Sequence, residues 1–104
     1  MNLIIRPRRL RRTMAIRDLV RENHLNPSDF IYPLFVHEKD FKEEISAMPG
    51  TFRWDMNGLI KEVIRAWDLG IRCIVLFPKI NDSLKTEDGA ECFNEEGLIP
   101  SAIR

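Results

Sequence analysis

Short runs of apolar residues separated by polar stretches set the pattern of this chain, and the run at residues 70–77 is the most distinct. It begins with a glycine, is apolar at every position from Ile74 to Phe77, and is followed by Pro78. Its brevity and its β-branched residues predict a strand that is buried on both faces, as in parallel sheets. We expect this strand to end at Pro78.

An earlier run at residues 30–36 predicts the first strand, in which Pro33 leaves a gap in the hydrogen bonding on one side. Between the two runs, apolar residues recur at the spacing of one helical face. Asp55 can cap the start of this helix, and Gly70 can take the left-handed conformation at its end. The recurring residues are Met56, Leu59, Ile60, Val63 and Trp67.

Strand, helix and strand form one βαβ unit over about residues 30–77. Parallel strands cannot be joined by a hairpin and need a crossover, which the helix provides. We therefore expect the two strands to be parallel neighbours, with the helix crossing between them in the right-handed sense. The sequence thus predicts an α/β fold.

The other segments carry weaker patterns. Thr13 can cap a short helix, residues 41–50 are expected to be a loop, and residues 78–97 are expected to be a long loop. Pro100 is typical of the first position of a helix, and the chain stops about one turn later, so we expect an interrupted fold. We divide the chain into a basic amino-terminal arm, residues 1–27, and an incomplete βαβ unit with its following loop, residues 28–104.

The charge of the chain is zero overall but unevenly distributed. Residues 1–24 hold seven arginines against two acidic residues, and residues 25–104 hold nine basic against fourteen acidic residues. The arm is either solvated or lies on an acidic body, its own or a neighbour's. Nucleic acid is not expected as a partner, because no aromatic residue lies among the arginines and no recognition motif follows. The clustered arginines are Arg6, Arg8, Arg9, Arg11 and Arg12.

Composition also bears on location. The longest apolar run is far shorter than the roughly 20 residues that cross a bilayer, so no membrane association is expected. The apolar start of the chain is too short for a signal peptide. Cys73 and Cys92 have no metal-binding or redox spacing, which predicts reduced thiols and a cytoplasmic protein. We expect Cys73 to be a small core residue.

Reactive groups of parallel α/β proteins lie beyond the carboxyl ends of the strands. Lys79 could form a Schiff base there if it were desolvated, but the simpler interpretation is a solvated loop lysine. His37 and Glu38 could form an acid–base pair, but neighbours on an extended chain point in opposite directions. We therefore predict no catalytic residue in this chain.

Four acidic residues of the long loop could gather around a hard cation, but their spacing matches no calcium loop. We predict no metal-binding residue and no cofactor-binding residue in this chain. The four residues are Asp82, Glu87, Asp88 and Glu91.

Six segments of the chain, in order and at matching spacing, resemble the amino-terminal part of the delta-aminolevulinic acid dehydratase family, also called the porphobilinogen synthase family. The resemblance covers nearly all 104 residues. The segments are RPRRLRR at 6–12, DFIYPLFV at 29–36, ISAMPG at 45–50, LGI at 69–71, LFPKI at 76–80 and GLIPSAIR at 97–104.

The resemblance implies a (β/α)₈ TIM barrel with an extended amino-terminal arm, of which this chain holds about two strands. It implies condensation of two 5-aminolevulinate molecules to porphobilinogen in haem biosynthesis, through two Schiff-base lysines, with zinc or magnesium as the metal. None of the five lysines here and neither cysteine matches the family's lysine or metal motifs. It also implies a homo-oligomer, commonly an octamer, in which the arm and its arginines embrace a neighbouring subunit.

Two other interpretations remain open from the residues. The chain could belong to another Schiff-base lyase built on a barrel, such as an aldolase. It could also be a non-enzymatic assembly module that binds through its basic arm.

Overall fold

The computed structural model describes residues 4, 5 and 7–104, and Arg6 of the arginine cluster lies outside the described residues. Short 3₁₀ turns lie at Arg9–Arg11, Pro27–Asp29, Asp82–Leu84 and Ala90–Phe93. The helices are α1 (Met14–Leu19), α2 (Met56–Asp68) and α3 (Leu98–Ile103), and the strands are β1 (Ile31–His37), β2 (Glu43–Glu44), β3 (Phe52–Trp54) and β4 (Cys73–Lys79).

The four strands form one mixed sheet in the order β2-β3-β1-β4. Strand β1 pairs with β4 in parallel over seven residues, from Ile31 opposite Cys73 to His37 opposite Lys79. The predicted parallel neighbours are therefore confirmed. The expectation that the second strand ends at Pro78 is wrong, because β4 continues through this proline to Lys79. Proline is tolerated on edge strands, and β4 lies at the edge of this sheet.

The segment expected to be a loop contains a small hairpin. Glu43 and Glu44 of β2 pair antiparallel with Arg53 and Phe52 of β3, and β3 then runs parallel to the end of β1. Backbone hydrogen bonds close the connection, and Gly50 takes a left-handed φ of 81° in it. Strands of two and three residues are too short to display a period of two, so the sequence pattern did not reveal them.

Helix α2 begins and ends where the sequence predicted. The side chain of Asp55 accepts a hydrogen bond of 3.2 Å from the backbone N–H of Gly58, and Gly70 has a φ of 93°. The cap at the start of α1 is also confirmed, since the hydroxyl of Thr13 accepts from the N–H of Ile16. Helix α3 begins at Leu98, which places Pro100 within its first turn, where backbone N–H groups need no helical partner.

The buried face of α2 differs from the predicted face. Its buried residues are Leu59, Glu62 and Ala66, whereas Ile60 and Trp67 are 52% and 59% exposed. Ile60 and Trp67 of the predicted apolar face therefore lie outside the core. The helix is rotated so that Leu59 meets Leu34 and Val36 of β1, and the flanking apolar residues remain at the surface.

The opposite face of the sheet is largely uncovered by the described residues. The expectation that β4 is buried on both faces is wrong, and so is the assignment of Cys73 to the core, since Cys73 is exposed and Phe77 is 45% exposed. Residues of this face meet each other instead, as the rings of Phe35 and Phe77 do at 5.5 Å between centroids. Helices α2 and α3 both contact the other face, so among residues 4, 5 and 7–104 a second layer covers that face alone.

The arm extends away from the sheet. The chain measures 66 Å along its longest axis, and its radius of gyration is 21.7 Å, compared with about 13 Å for a compact chain of 100 residues. All described residues among 4–12 are exposed, and α1 has no buried residue. The arm therefore gains almost no burial from its own chain.

Removal of the α2 cap should loosen the start of that helix. We expect Asp55→Ala to cost about 1 kcal/mol, because the N–H of Gly58 loses its acceptor. Amide hydrogen exchange of the first turn of α2 would measure this loss as faster exchange. Asp68→Ala is the matched control, because this carboxylate lies at the end of α2 and caps no N–H there. Equal exchange in both variants would contradict the cap assignment.

Candidate functional site at the carboxyl edge of the sheet

The ends of β1 and β4 bring His37 and Lys79 to one edge of the sheet. The two residues are partners in the parallel register. Alternation along β1 places Leu34 and Val36 against α2, so Phe35 and His37 belong to the opposite face. The contact between Phe35 and Phe77 assigns Phe77, and therefore Lys79, to that same face. A histidine and a lysine thus lie side by side at the carboxyl edge of the uncovered face.

His37 is 3% exposed and is enclosed by the segment that follows it. Its Nε2 lies 2.6 Å from the carbonyl oxygen of Phe41, so Nε2 carries the hydrogen and donates it. Its Nδ1 is buried, has no hydrogen-bond partner among the residues that the structure describes, and lies 3.8 Å from a carboxylate oxygen of Glu43. His37 thereby fastens the turn after β1 to the end of that strand.

Glu43 gathers charges around this turn. Its carboxylate lies 3.2 Å from the ammonium of Lys39 and 3.2 Å from the guanidinium of Arg53. Lys39, with a smaller contribution from Arg53, holds the pKa of Glu43 below its ordinary value. The acidic neighbour of His37 is therefore Glu43 of β2, whereas Glu38, the partner considered from the sequence, is exposed.

Lys79 is half exposed at the start of the long loop. Its ammonium lies 3.8 Å from the carboxylate of Asp82, which binds Lys85 more closely, at 2.6 Å. The hydrogen bond from Lys85, followed by the charge of Lys79, holds the pKa of Asp82 below its ordinary value. Lys79 lacks the burial that would favour Schiff-base chemistry, which agrees with a solvated lysine.

The other acidic residues of the long loop serve local turns. Asp88 accepts from the hydroxyl of Thr86 and from the N–H of Ala90, and Glu91 accepts from the side chain of Asn94. Over the described residues, no three His, Cys, Asp or Glu side chains are placed to hold a metal ion. Cys92 is exposed.

Sequence reasoning missed a buried ionic group beneath the sheet. Glu62 of α2 is 6% exposed; it accepts a 2.7 Å hydrogen bond from the hydroxyl of Tyr32 and two from the guanidinium of Arg65. The bonds from Arg65 and then Tyr32 lower the pKa of Glu62, while burial and the bond to Glu62 raise the pKa of Tyr32. The spacing of Glu62 and Arg65 hinted at a pair, but nothing in the sequence indicated Tyr32.

Comparison with known proteins identifies the family. The model of the family "Delta-aminolevulinic acid dehydratase" matches residues 4–104. The chain belongs to this family. It is 48% identical to the chloroplastic delta-aminolevulinic acid dehydratase of Glycine max, over 95% of this chain and 24% of that protein. It is 46% identical to the delta-aminolevulinic acid dehydratase of Chlamydia pneumoniae, over 94% of this chain and 30% of that protein.

A solved structure supports the family assignment at the level of the fold. The delta-aminolevulinic acid dehydratase (porphobilinogen synthase) of Toxoplasma gondii ME49, in complex with the reaction product porphobilinogen, matches with a TM-score of 0.90 and 46% identity. The match covers 97% of this chain and 29% of that chain. This chain therefore spans about a quarter of the length of its relatives in the dehydratase family.

No helix of the described residues is long and apolar enough to cross a bilayer.

The buried carboxylate should make stability depend on pH. The pKa of Glu62 is lowered in the fold, so its contribution is fully present above the ordinary glutamate pKa of about 4.3 and is lost as the pH falls below it. We expect Glu62→Gln to lower the unfolding temperature at neutral pH. We also expect the unfolding temperature of this variant to fall less than that of the wild type as the pH is lowered. Thermal unfolding at several pH values between about 3 and 7 would measure both effects.

Glu38→Gln is the control for that experiment, because Glu38 is an exposed glutamate without an ion pair in the described part of the chain. It should leave the pH profile of the wild type unchanged. If Glu62→Gln kept the full acid-dependent decrease, another carboxylate would be responsible for it.

Proposed function

We propose that this chain is the amino-terminal part of a porphobilinogen synthase, which condenses two molecules of 5-aminolevulinate to porphobilinogen with loss of water. The observation that carries the proposal is the match of 97% of the chain, at a TM-score of 0.90, to an enzyme of that name bound to its product. Membership of the family, over residues 4–104, favours this reaction over that of another Schiff-base lyase. No observation favours a non-enzymatic assembly module.

The complete protein is proposed to be a (β/α)₈ barrel. The seven-residue parallel pairing of β1 with β4, with α2 between them in the chain, is the repeating unit of such a barrel. The face that carries Phe35 and Phe77 corresponds to the barrel interior, which would explain why apolar rings remain uncovered there. The outer edge of β4 is free among the described residues and would receive the next strand.

The reacting groups are proposed to lie outside this chain. A zinc or magnesium ion, as the family resemblance implies, does not fit the residues present here. Cys73 lies on a strand and Cys92 in the long loop, both exposed, and the acidic side chains nearby are engaged in local turns. The substrate lysines are likewise expected beyond Arg104. A cytoplasmic location is also part of the proposal. The plant relatives are named chloroplastic, whereas the name of the Chlamydia relative gives no compartment.

The arm is proposed to bind a neighbouring subunit, with an octamer as the expected assembly. Its exposed arginines can meet the acidic body of another copy, and opposite charges steer such contacts. The apolar surface of residues 1–12 is small. At about 25 cal/mol per Å² it cannot offset the cost of ordering a dozen residues at roughly 1–2 kcal/mol each.

The chain by itself should not form porphobilinogen. Borohydride treatment in the presence of 5-aminolevulinate should leave it unmodified in a mass spectrum, because Lys79 is half exposed and not desolvated. The complete enzyme, treated in parallel, should be trapped covalently. A stoichiometric adduct on Lys79 of the isolated chain would overturn the placement of the reacting groups, and absence of porphobilinogen formation by the complete enzyme would overturn the proposed function.

Deletion of residues 1–12 from the complete enzyme should reduce the size of the oligomer and leave each barrel folded. Sedimentation would measure the assembly, and circular dichroism would measure the helical content. An unchanged sedimentation coefficient would contradict arm exchange, and a large loss of helical signal would mean that the arm belongs to its own barrel.

A charge-preserving variant is the control for the deletion. Replacing Arg8, Arg9, Arg11 and Arg12 by lysine keeps the charge of the arm, whereas replacing them by glutamate reverses it. If electrostatic attraction to an acidic body drives docking, the lysine variant should stay assembled and the glutamate variant should dissociate, the more so at low salt.

A further inference from the structure

Lys79 occupies the place where barrel enzymes bind their substrates. It is the last residue of β4, and alternation from Phe77 puts it on the face opposite α2. Active sites of barrels form at the carboxyl ends of the strands, on the side of the interior. Of the residues described here, Lys79 and its register partner His37 are the titratable pair at that position.

His37 and Lys79 differ in how freely they can bind a ligand. His37 is enclosed, and its Nε2–H is already donated to the carbonyl of Phe41. Lys79 is half exposed, and its ion pair within the described part of the chain is long, because Asp82 is held more closely by Lys85. The ammonium of Lys79 can therefore bind another anion without breaking a short contact.

The acidic residues near Lys79 would repel an anion, so a cation at this position favours the binding of one. The loop after Lys79, residues 81–97, carries six acidic residues and one basic residue, Lys85, which would repel an incoming carboxylate. On the β1 side of the edge, the cations Lys39 and Arg53 are paired with Glu43. Among these groups, Lys79 is the cation with the weakest internal partner.

We propose that Lys79 binds the carboxylate of 5-aminolevulinate by its charge at the mouth of the barrel. This role rests on the proposed function and adds a substrate-binding residue to it. No covalent bond to Lys79 is involved. The ammonium offsets the acidic loop while the substrate enters, so its contribution belongs to binding and not to the chemical step.

Steady-state kinetics of the complete enzyme test the proposal. We expect Lys79→Met to raise KM for 5-aminolevulinate about two- to fivefold and to leave kcat within about twofold, as for loss of one partly exposed charge contact. Lys79→Arg should restore KM, because it keeps the charge. The effect of Lys79→Met should shrink as salt is added, because exposed charges are screened.

Two further variants sharpen the test. Lys61→Met removes a lysine from the exposed surface of α2, on the other side of the sheet, and should leave KM unchanged. Asp82→Asn removes the anion that competes for Lys79, so it should lower KM or leave it unchanged. A KM for Lys79→Met equal to that for Lys61→Met would overturn the proposal, as would a decrease in kcat with KM unchanged. A wild-type enzyme that forms no porphobilinogen would overturn the proposed function and this role together.

Discussion

The parallel pairing of β1 with β4 is the constraint on which the rest of this structure depends. Two parallel strands cannot be joined by a short turn, so the chain must cross the sheet between them, and α2 is that crossing. The crossing lays Leu59 on Leu34 and Val36 and so selects the face that forms the core. The other face and the common carboxyl edge follow from this choice, because side chains alternate and both strands end together.

The same arrangement leaves much of the apolar surface of the chain exposed. Its accessible surface is 8975 Å², whereas a compact monomer of this size exposes roughly 6,100 Å². The core cluster consists of three buried residues, and ordering each residue of a chain costs roughly 1–2 kcal/mol. The uncovered rings of Phe35 and Phe77 and the exposed Trp67 therefore need further layers of protein, which fits a chain a quarter as long as its relatives.

Sequence patterns predicted the elements in which apolar residues recur regularly and in which capping residues mark the ends. Residues 55–70 contain a cap, an apolar stripe and a terminal glycine, and α2 formed there with the expected ends. The rotation of α2 was not predictable to better than one residue, because Ile60 adjoins Leu59 and both fit an apolar stripe. The hairpin of β2 and β3 was missed because it depends on pairing with β1 and not on its own few residues.

Charged groups were harder to place than apolar ones. Glu62 is buried because Tyr32, thirty residues away, donates to it, and contacts at that separation leave no local pattern. His37 was correctly expected at the end of a strand, but its acidic neighbour is Glu43 of the hairpin that the pattern did not reveal. Side-chain partners at this edge could be named only after the strands were placed.

The carboxyl edge divides into a closed half and an open half for a physical reason. His37 must donate through Nε2 to the carbonyl of Phe41, which fixes the turn after β1 over the end of that strand. Glu43 then binds Lys39 and Arg53, so the charges of the hairpin neutralise one another. At the end of β4, Lys79 keeps a half-exposed ammonium beside a loop that is rich in acidic residues. The exposed lysine of this edge therefore lies on the β4 side, and β1 with the hairpin forms the closed side.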